Sequence, residues 1–142
     1  MTTATPADRP FTPALRAVVT GASIGIGAAT VRRLRASGWS VLAVARRGDK
    51  LEALAAETGC DVCVADVTIE ADVTRLAAAA PGADGAVHAI VNNAGGALGF
   101  ETVETGVVAD WQRMFEVNTI GSLRVTQALL PALRGSGRGD VL

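Results

Sequence analysis

The chain has 142 residues, 49% hydrophobic and 19% charged, a composition that suits one globular domain with a substantial core and excludes intrinsic disorder. A formal net charge of -1 gives no electrostatic reason to expect nucleic acid or an anionic membrane as partner. No stretch approaches the roughly 18 uncharged apolar residues of a membrane span.

The N-terminal "MTTATPADRPFTPALR" carries three prolines and lacks the apolar core of a secretory signal. Residues 1–14 are therefore expected to form a flexible leader to a domain over 15–142, in a cytoplasmic protein. "RAVVTG" (16–21) reads as a buried strand ending in a glycine-punctuated turn. "IGAATVRRLRASG" (26–38) follows as a helix, with Ile26, Ala29, Val31 and Leu34 on its apolar side and Gly38 as its stop. "WSVLAVA" (39–45) is the second strand, and "DKLEALAAETG" (49–59) the second helix.

"DVCVADV" (61–67) gives the third strand. Its flanking Cys60-x-x-Cys63 pair matches a redox or zinc spacing only superficially, because no second Cys or His pair completes a site. "EADVTRLAAAAPG" (70–82) is an alanine-rich helix stopped by Pro81-Gly82, and "AVHAIVNNAGG" (86–96) a fourth strand running into a loop. His88, the only histidine, lies early in that strand, where a structural role is the expectation. A long helix is expected from Trp111 to about Leu133, burying Trp111, Met114, Phe115, Ile120, Leu123, Leu129, Leu130 and Leu133. "GDVL" (139–142) begins a fifth strand.

Strands alternating with helices through short turns imply a doubly wound parallel sheet of Rossmann type, incomplete at the C-terminus. Near-continuous apolar strands agree with burial on both faces.

Two loops carry the chemistry. In "TGASIGIG" (20–27), Gly21 permits a tight turn, Gly25 lets backbone approach a diphosphate, and Gly27 allows close helix–strand packing. The helix N-terminus then offers unpaired N–H groups and a partial positive charge. "VNNAG" (91–95) lies at the equivalent end of strand four, where asparagine side chains can bond neighbouring backbone and stiffen a site. Each alone could be an ordinary turn.

Together these motifs, with "DV" (66–67) and "FEVNTIG" (115–121), resemble the classical short-chain dehydrogenase/reductase family from about Arg16 onward. The resemblance implies that Gly21, Ser23, Ile24, Gly25, Ile26 and Gly27 line a pyrophosphate and ribose. Asp66 would accept from the adenine amine with Val67 beside the ring, and Asn93, Ala94 and Gly95 would face the ribose and nicotinamide. Asn118 would be the catalytic asparagine that anchors a water in the proton relay. No metal is implied.

An acid at the end of strand two normally bonds the adenosine ribose hydroxyls, but here Ala45 is followed by Arg46 and Arg47. A guanidinium pairs well with phosphate, so NADP(H) is expected in preference to NAD(H). The alternative is that both arginines pair with Asp49 or Glu52.

The family's proton donor is a tyrosine with a lysine four residues later, and a serine orients the substrate. This sequence has no tyrosine, and Lys50 is its only lysine. The expectation is an N-terminal fragment of an NADP(H)-dependent carbonyl reductase or alcohol dehydrogenase, inactive alone and acting, when full length, on a small-molecule carbonyl or alcohol. Homo-oligomers are expected of the full-length protein, and self-association of the fragment. A second reading is a non-catalytic NADP(H)-binding or sensing protein. A nucleotide-dependent methyltransferase is disfavoured, since it wants an acid where Ala45 stands.

Overall fold

Side-chain alternation along the two central strands decides where the helices pack. In β1 (Arg16–Thr20), Ala17 and Val19 point to one face and Val18 to the other; in β2 (Ser40–Ala45), Val41, Ala43 and Ala45 oppose Leu42 and Val44. The computed structural model describes residues 14–99 and 101–142, so the expected leader lies outside the described residues except for Ala14.

The alanine-rich face receives α1 (Gly25–Ala36) and α2 (Gly48–Thr58) through Ala28, Val31, Leu51 and Leu54. The bulkier face receives α3 (Glu70–Ala79) and α5 (Ser122–Gly135) through Val73, Leu76, Val125, Leu129 and Leu133. β3 (Asp61–Val64), β4 (Ala89–Val91) and β5 (Asp140–Val141) complete a five-stranded sheet in the order β3-β2-β1-β4-β5, with every pairing parallel. The register sets Val18 beside Leu42 and Ile90, and β5 adds Val141 beside Ile90. This is the doubly wound Rossmann-type architecture.

Arg16, only 4% exposed, closes the amino end of the sheet. Its guanidinium donates to the Ala80 carbonyl at the end of α3 (2.9 Å), to Ser40 Oγ (2.7 Å) and to Asp61 Oδ2 (2.5 Å). His88 accepts the Arg16 backbone N–H at Nδ1 (3.0 Å) and sets Nε2 3.6 Å from Asp84. It belongs to this network, at the opposite end of the strands from the loops described below. Cys60 is buried and Cys63 half-buried, and both are free thiols.

Several sequence expectations are corrected. The buried stripe of α1 is Gly27, Ala28 and Val31, while Ile26 is 77% exposed and Ala29 lies outside; the helix approaches β1 through its least bulky side. β3 is a short edge strand whose Val62 and Val64 are 38% and 49% exposed, so it is not buried on both faces. β4 begins at Ala89 and not at Ala86.

The long helix starts earlier, as α4 (Val108–Phe115), passes through a π-helical turn at Glu116–Gly121 and resumes as α5. The extra residue in a π-turn rotates the phase of what precedes it. Met114 is half-buried, but Trp111 and Phe115 turn outward, 63% and 59% exposed. Leu123, on the outer side of α5, is 50% exposed, and Ile120 and Leu130 are half-buried.

Candidate functional site

The sheet order places the topological switch between β1 and β4, and a crevice is expected beyond their carboxyl ends. An open cleft of about 830 Å³ lies there, bounded by the glycine turn after β1, Ala45 to Arg47 after β2, Ala65 to Val67 after β3, and Asn93 to Gly95 after β4.

The floor of the cleft is stitched by Thr20 and Asn93. Thr20 Oγ1, 1% exposed as a residue, donates to the Val91 carbonyl (3.3 Å) and accepts the N–H groups of Asn93 (3.1 Å) and Ala94 (2.9 Å). The Asn93 amide donates back to the carbonyls of Thr20 (3.1 Å) and Gly21 (3.2 Å). Space there is tight. A Cβ on Gly21, which has φ +64°, would lie 2.9 Å from the Ala94 Cα and the Asn93 carbonyl.

The opening of α1 is free of protein groups. Its N-cap residue is Ile24, which makes no side-chain cap hydrogen bond, and no acidic residue occupies the first turn. A Cβ on Gly25 would meet nothing within 4 Å. Unsatisfied N–H groups and the positive helix end thus face the cleft, an arrangement suited to an anion.

Beyond Ala45 the two arginines splay apart. Arg47 Nη2 donates to Ser23 Oγ across the cleft (2.8 Å), and Arg46 Nη1 stands 3.8 Å from Asp66 Oδ2. Neither forms an ion pair with Asp49 or Glu52. Asp66 is held through its other oxygen, which accepts the Thr68 N–H (2.9 Å) and hydroxyl (2.7 Å). Burial works against the Asp66 charge, but the two Thr68 bonds and Arg46 outweigh it and hold the carboxyl below its ordinary range.

Asn118 lies in the π-turn and pairs twice with the backbone of one residue. Its Oδ1 accepts the Gly96 N–H (2.9 Å) and its Nδ2 donates to the Gly96 carbonyl (3.0 Å). A Cβ on neighbouring Gly95 would fall 2.7 Å from Asn118 Oδ1.

Every cofactor-site residue expected from the sequence lines the cleft except Gly27, which is buried behind it. Asn118 also stands outside the lining and acts on it through Gly95 and Gly96. Contributors not singled out from the sequence include Thr20 and Thr68, the wall residues Val44 and Ala65, and Val117, which lines the cleft from the π-turn. The Asp-x-Thr spacing of 66–68 is the signal for Thr68, since such pairs form local side-chain turns. Among the described residues there is no cluster of three potential metal ligands, and no helix is long and apolar enough to cross a membrane.

Comparison with known proteins agrees with this geometry. An oxidoreductase of Mycobacterium tuberculosis, itself uncharacterized, is 51% identical over 126 residues, covering 89% of this chain and 49% of that protein. Serine 3-dehydrogenase of Agrobacterium fabrum is 41% identical over 118 residues, covering 82% of this chain and 47% of that one. The solved closed form of a serine dehydrogenase complexed with NADP+ superposes with a TM-score of 0.82 at 33% identity, over 88% of this chain and 51% of that chain. The chain spans about half the length of the curated relatives it matches. The short chain dehydrogenase family model matches residues 16–142, the whole of the sheet and the cleft, and the chain belongs to that family.

Proposed function

We propose that the cleft binds NADP(H) and that the chain supplies the cofactor-binding part of an oxidoreductase interconverting a carbonyl and an alcohol. The observation that carries this reading is the pair Arg46 and Arg47 at the end of β2, held apart by Asp66 and Ser23 where an acid would select NAD(H). Relatives named NADP-dependent 3-hydroxy acid dehydrogenase and the NADP+ complex of a serine dehydrogenase support both the cofactor and the alcohol chemistry.

The residues present fit such a cofactor. The uncapped start of α1 and the open space over Gly25 accept a diphosphate. The free side of Asp66 and the apolar walls of Val67 and Val117 suit an adenine, and the splayed guanidiniums suit a 2′-phosphate. When bound, the nicotinamide supplies or takes up a hydride. The chain's own part is to hold and orient. Thr20 and Asn93 fix the floor, and Asn118 holds Gly96 so that the Gly95 edge keeps its place. In this reading Asn118 also anchors the relay water.

A second reading is a non-catalytic NADP(H)-binding protein. Both readings require the same binding, so binding is tested first. Titration of the chain with NADPH and NADH should show NADPH tighter by roughly ten- to a hundredfold, the worth of a charge-assisted phosphate contact of about 1.5–3 kcal/mol. Arg46→Asp should erase most of that ratio. Equal affinities in the wild type would refute the 2′-phosphate assignment, and binding of neither would refute the cofactor assignment. Turnover of a carbonyl by the 142-residue chain would refute the non-catalytic reading.

The exposed Trp111, Phe115 and Leu123 support a homo-oligomer as part of this proposal.

A further inference from the structure

The cleft does not close at Asp66. A smaller hollow of about 370 Å³ shares Arg46, Asp66 and Val117 with it and continues to the flank of α4, where Gln112, Arg113 and Glu116 form the far wall. Helical spacing accounts for that wall, since Gln112 precedes Glu116, and Arg113 precedes Val117, by one turn.

The hollow is lined by two guanidiniums, Arg46 and Arg113, and two carboxylates, Asp66 and Glu116, but their pairing is uneven. Asp66 faces Arg46 at 3.8 Å, and Glu116 is in contact with Arg124. Each carboxylate therefore already has an arginine. Arg113 is exposed and makes no ion pair among the described residues, although it faces the same hollow as Arg46.

We propose that Arg113, reaching from α4, is a specificity-determining residue that adds to Arg46 and Arg47 in selecting an adenosine 2′-phosphate. The proposal rests on the NADP(H) reading above. A dianionic phosphate entering beside Arg46 displaces part of the Arg46–Asp66 pairing, and Arg113, which has no ion pair of its own to break among the described residues, favours that exchange while Arg124 offsets the charge of Glu116 in the same wall. Because Arg113 is exposed, its effect is moderate and sensitive to salt.

The test is calorimetric titration of the 142-residue chain with 2′,5′-ADP and 5′-AMP, which carry the adenosine end with and without the 2′-phosphate. Arg113→Gln should weaken 2′,5′-ADP about three- to tenfold while changing 5′-AMP less than about twofold, with the loss shrinking at high salt. Arg113→Lys should recover most of the affinity. Equal weakening of both ligands would mean that Arg113 packs against adenosine generally, and no weakening of either would mean that it faces solvent; either result overturns the proposal. A wild-type chain with no preference for 2′,5′-ADP would overturn the NADP(H) reading and this one with it, whereas a clear wild-type preference unmoved by Arg113→Gln would overturn this one alone.

Discussion

Gly27→Ala tests how the cleft is held together. A Cβ at position 27 would run into the Gly21 carbonyl oxygen and lie 2.6 Å from Asn93 Nδ2 and 2.9 Å from the Gly21 carbonyl carbon. Two of those atoms are backbone, so no rotamer change relieves the contact. Either α1 backs away from β1, or the Asn93 amide gives up its bonds to Thr20 and Gly21 at 3.1 and 3.2 Å. Each lost bond costs about 1 kcal/mol, and overpacking adds about 1–3 kcal/mol. The better helix propensity of alanine returns up to about 1 kcal/mol, which leaves a net loss of about 2–5 kcal/mol.

Gly25→Ala is the control. Its Cβ meets nothing within 4 Å, and only the φ of +57° penalises it, by about 1–2 kcal/mol. Urea unfolding followed by far-ultraviolet circular dichroism should rank Gly27→Ala as the more damaging, with an unchanged m-value. If the damage travels through the Asn93 amide, Gly27→Ala should cost less in an Asn93→Ala background. A Gly27→Ala chain within about 0.5 kcal/mol of wild type, or a Gly25→Ala chain that is the worse of the two, would refute the reasoning.

Thr68→Val removes one of the two Thr68 bonds that hold the Asp66 carboxyl below its ordinary range. A depressed carboxylate contributes stability that is present above its unfolded value of about 3.9 and is lost as pH falls through the folded value. The variant's acid-unfolding midpoint should therefore move up in pH, and an unmoved midpoint counts against the assignment. Arg16→Met deletes the bonds to Ala80, Ser40 and Asp61 and strands the Ala80 carbonyl at the end of α3. The expected loss is about 2–4 kcal/mol in urea, less than for a fully buried pair because Asp61 is 65% exposed and stays solvated; a loss under about 1 kcal/mol would contradict it. In sedimentation the chain should exceed monomer mass. The double variant Trp111→Ser with Phe115→Ser should lower that mass with little change in stability, since both side chains are already more than half exposed; a strictly monomeric wild type would refute this.

How far the sequence was legible depends on the scale of the physics involved. The alternation of Ala17, Val18 and Val19 is local, and so is the glycine spacing of residues 21–27; both survive intact in the fold. The exposure of Trp111 and Phe115 was not legible because a hydrophobic periodicity marks an apolar face without saying what covers it, and α4 buries none of its residues. The π-turn at Glu116–Gly121 is equally invisible to a period of 3.6. Gly121 marks the place after the fact, since a Cβ there would lie 2.6 Å from Val67 Cγ2. Ile26 was misread for a related reason. Apolarity alone does not say that a helix will approach its strand along Gly27 and Ala28, which is a matter of how closely two backbones can pack. At the site, residue types could place Arg46 and Asp66 at the ends of neighbouring strands. They could not give the pairing of Arg47 with Ser23, which depends on loops 24 residues apart.

The position of the cleft follows from the winding. From β1 the chain moves outward through α1, β2, α2 and β3 and then returns across the sheet to β4 on the other side of β1. The segment leaving β1 turns to the alanine-rich face, and the segment leaving β4 goes on to α4 and, past the π-turn, to α5 on the bulkier face. Their loops must diverge, and divergence opens a crevice whose floor would otherwise expose unpaired main-chain groups. Thr20 and Asn93 answer that need, one from each side of the divide, with the Asn93 and Ala94 N–H groups and the Thr20 and Gly21 carbonyls all satisfied across it. The same bonds leave the start of α1 uncapped and aimed into the gap. The open cleft at the switch point is thus a consequence of closing the floor from the two loops while leaving the helix end uncapped, and the residues that line it come from the loops after β1 to β4 and from the π-turn.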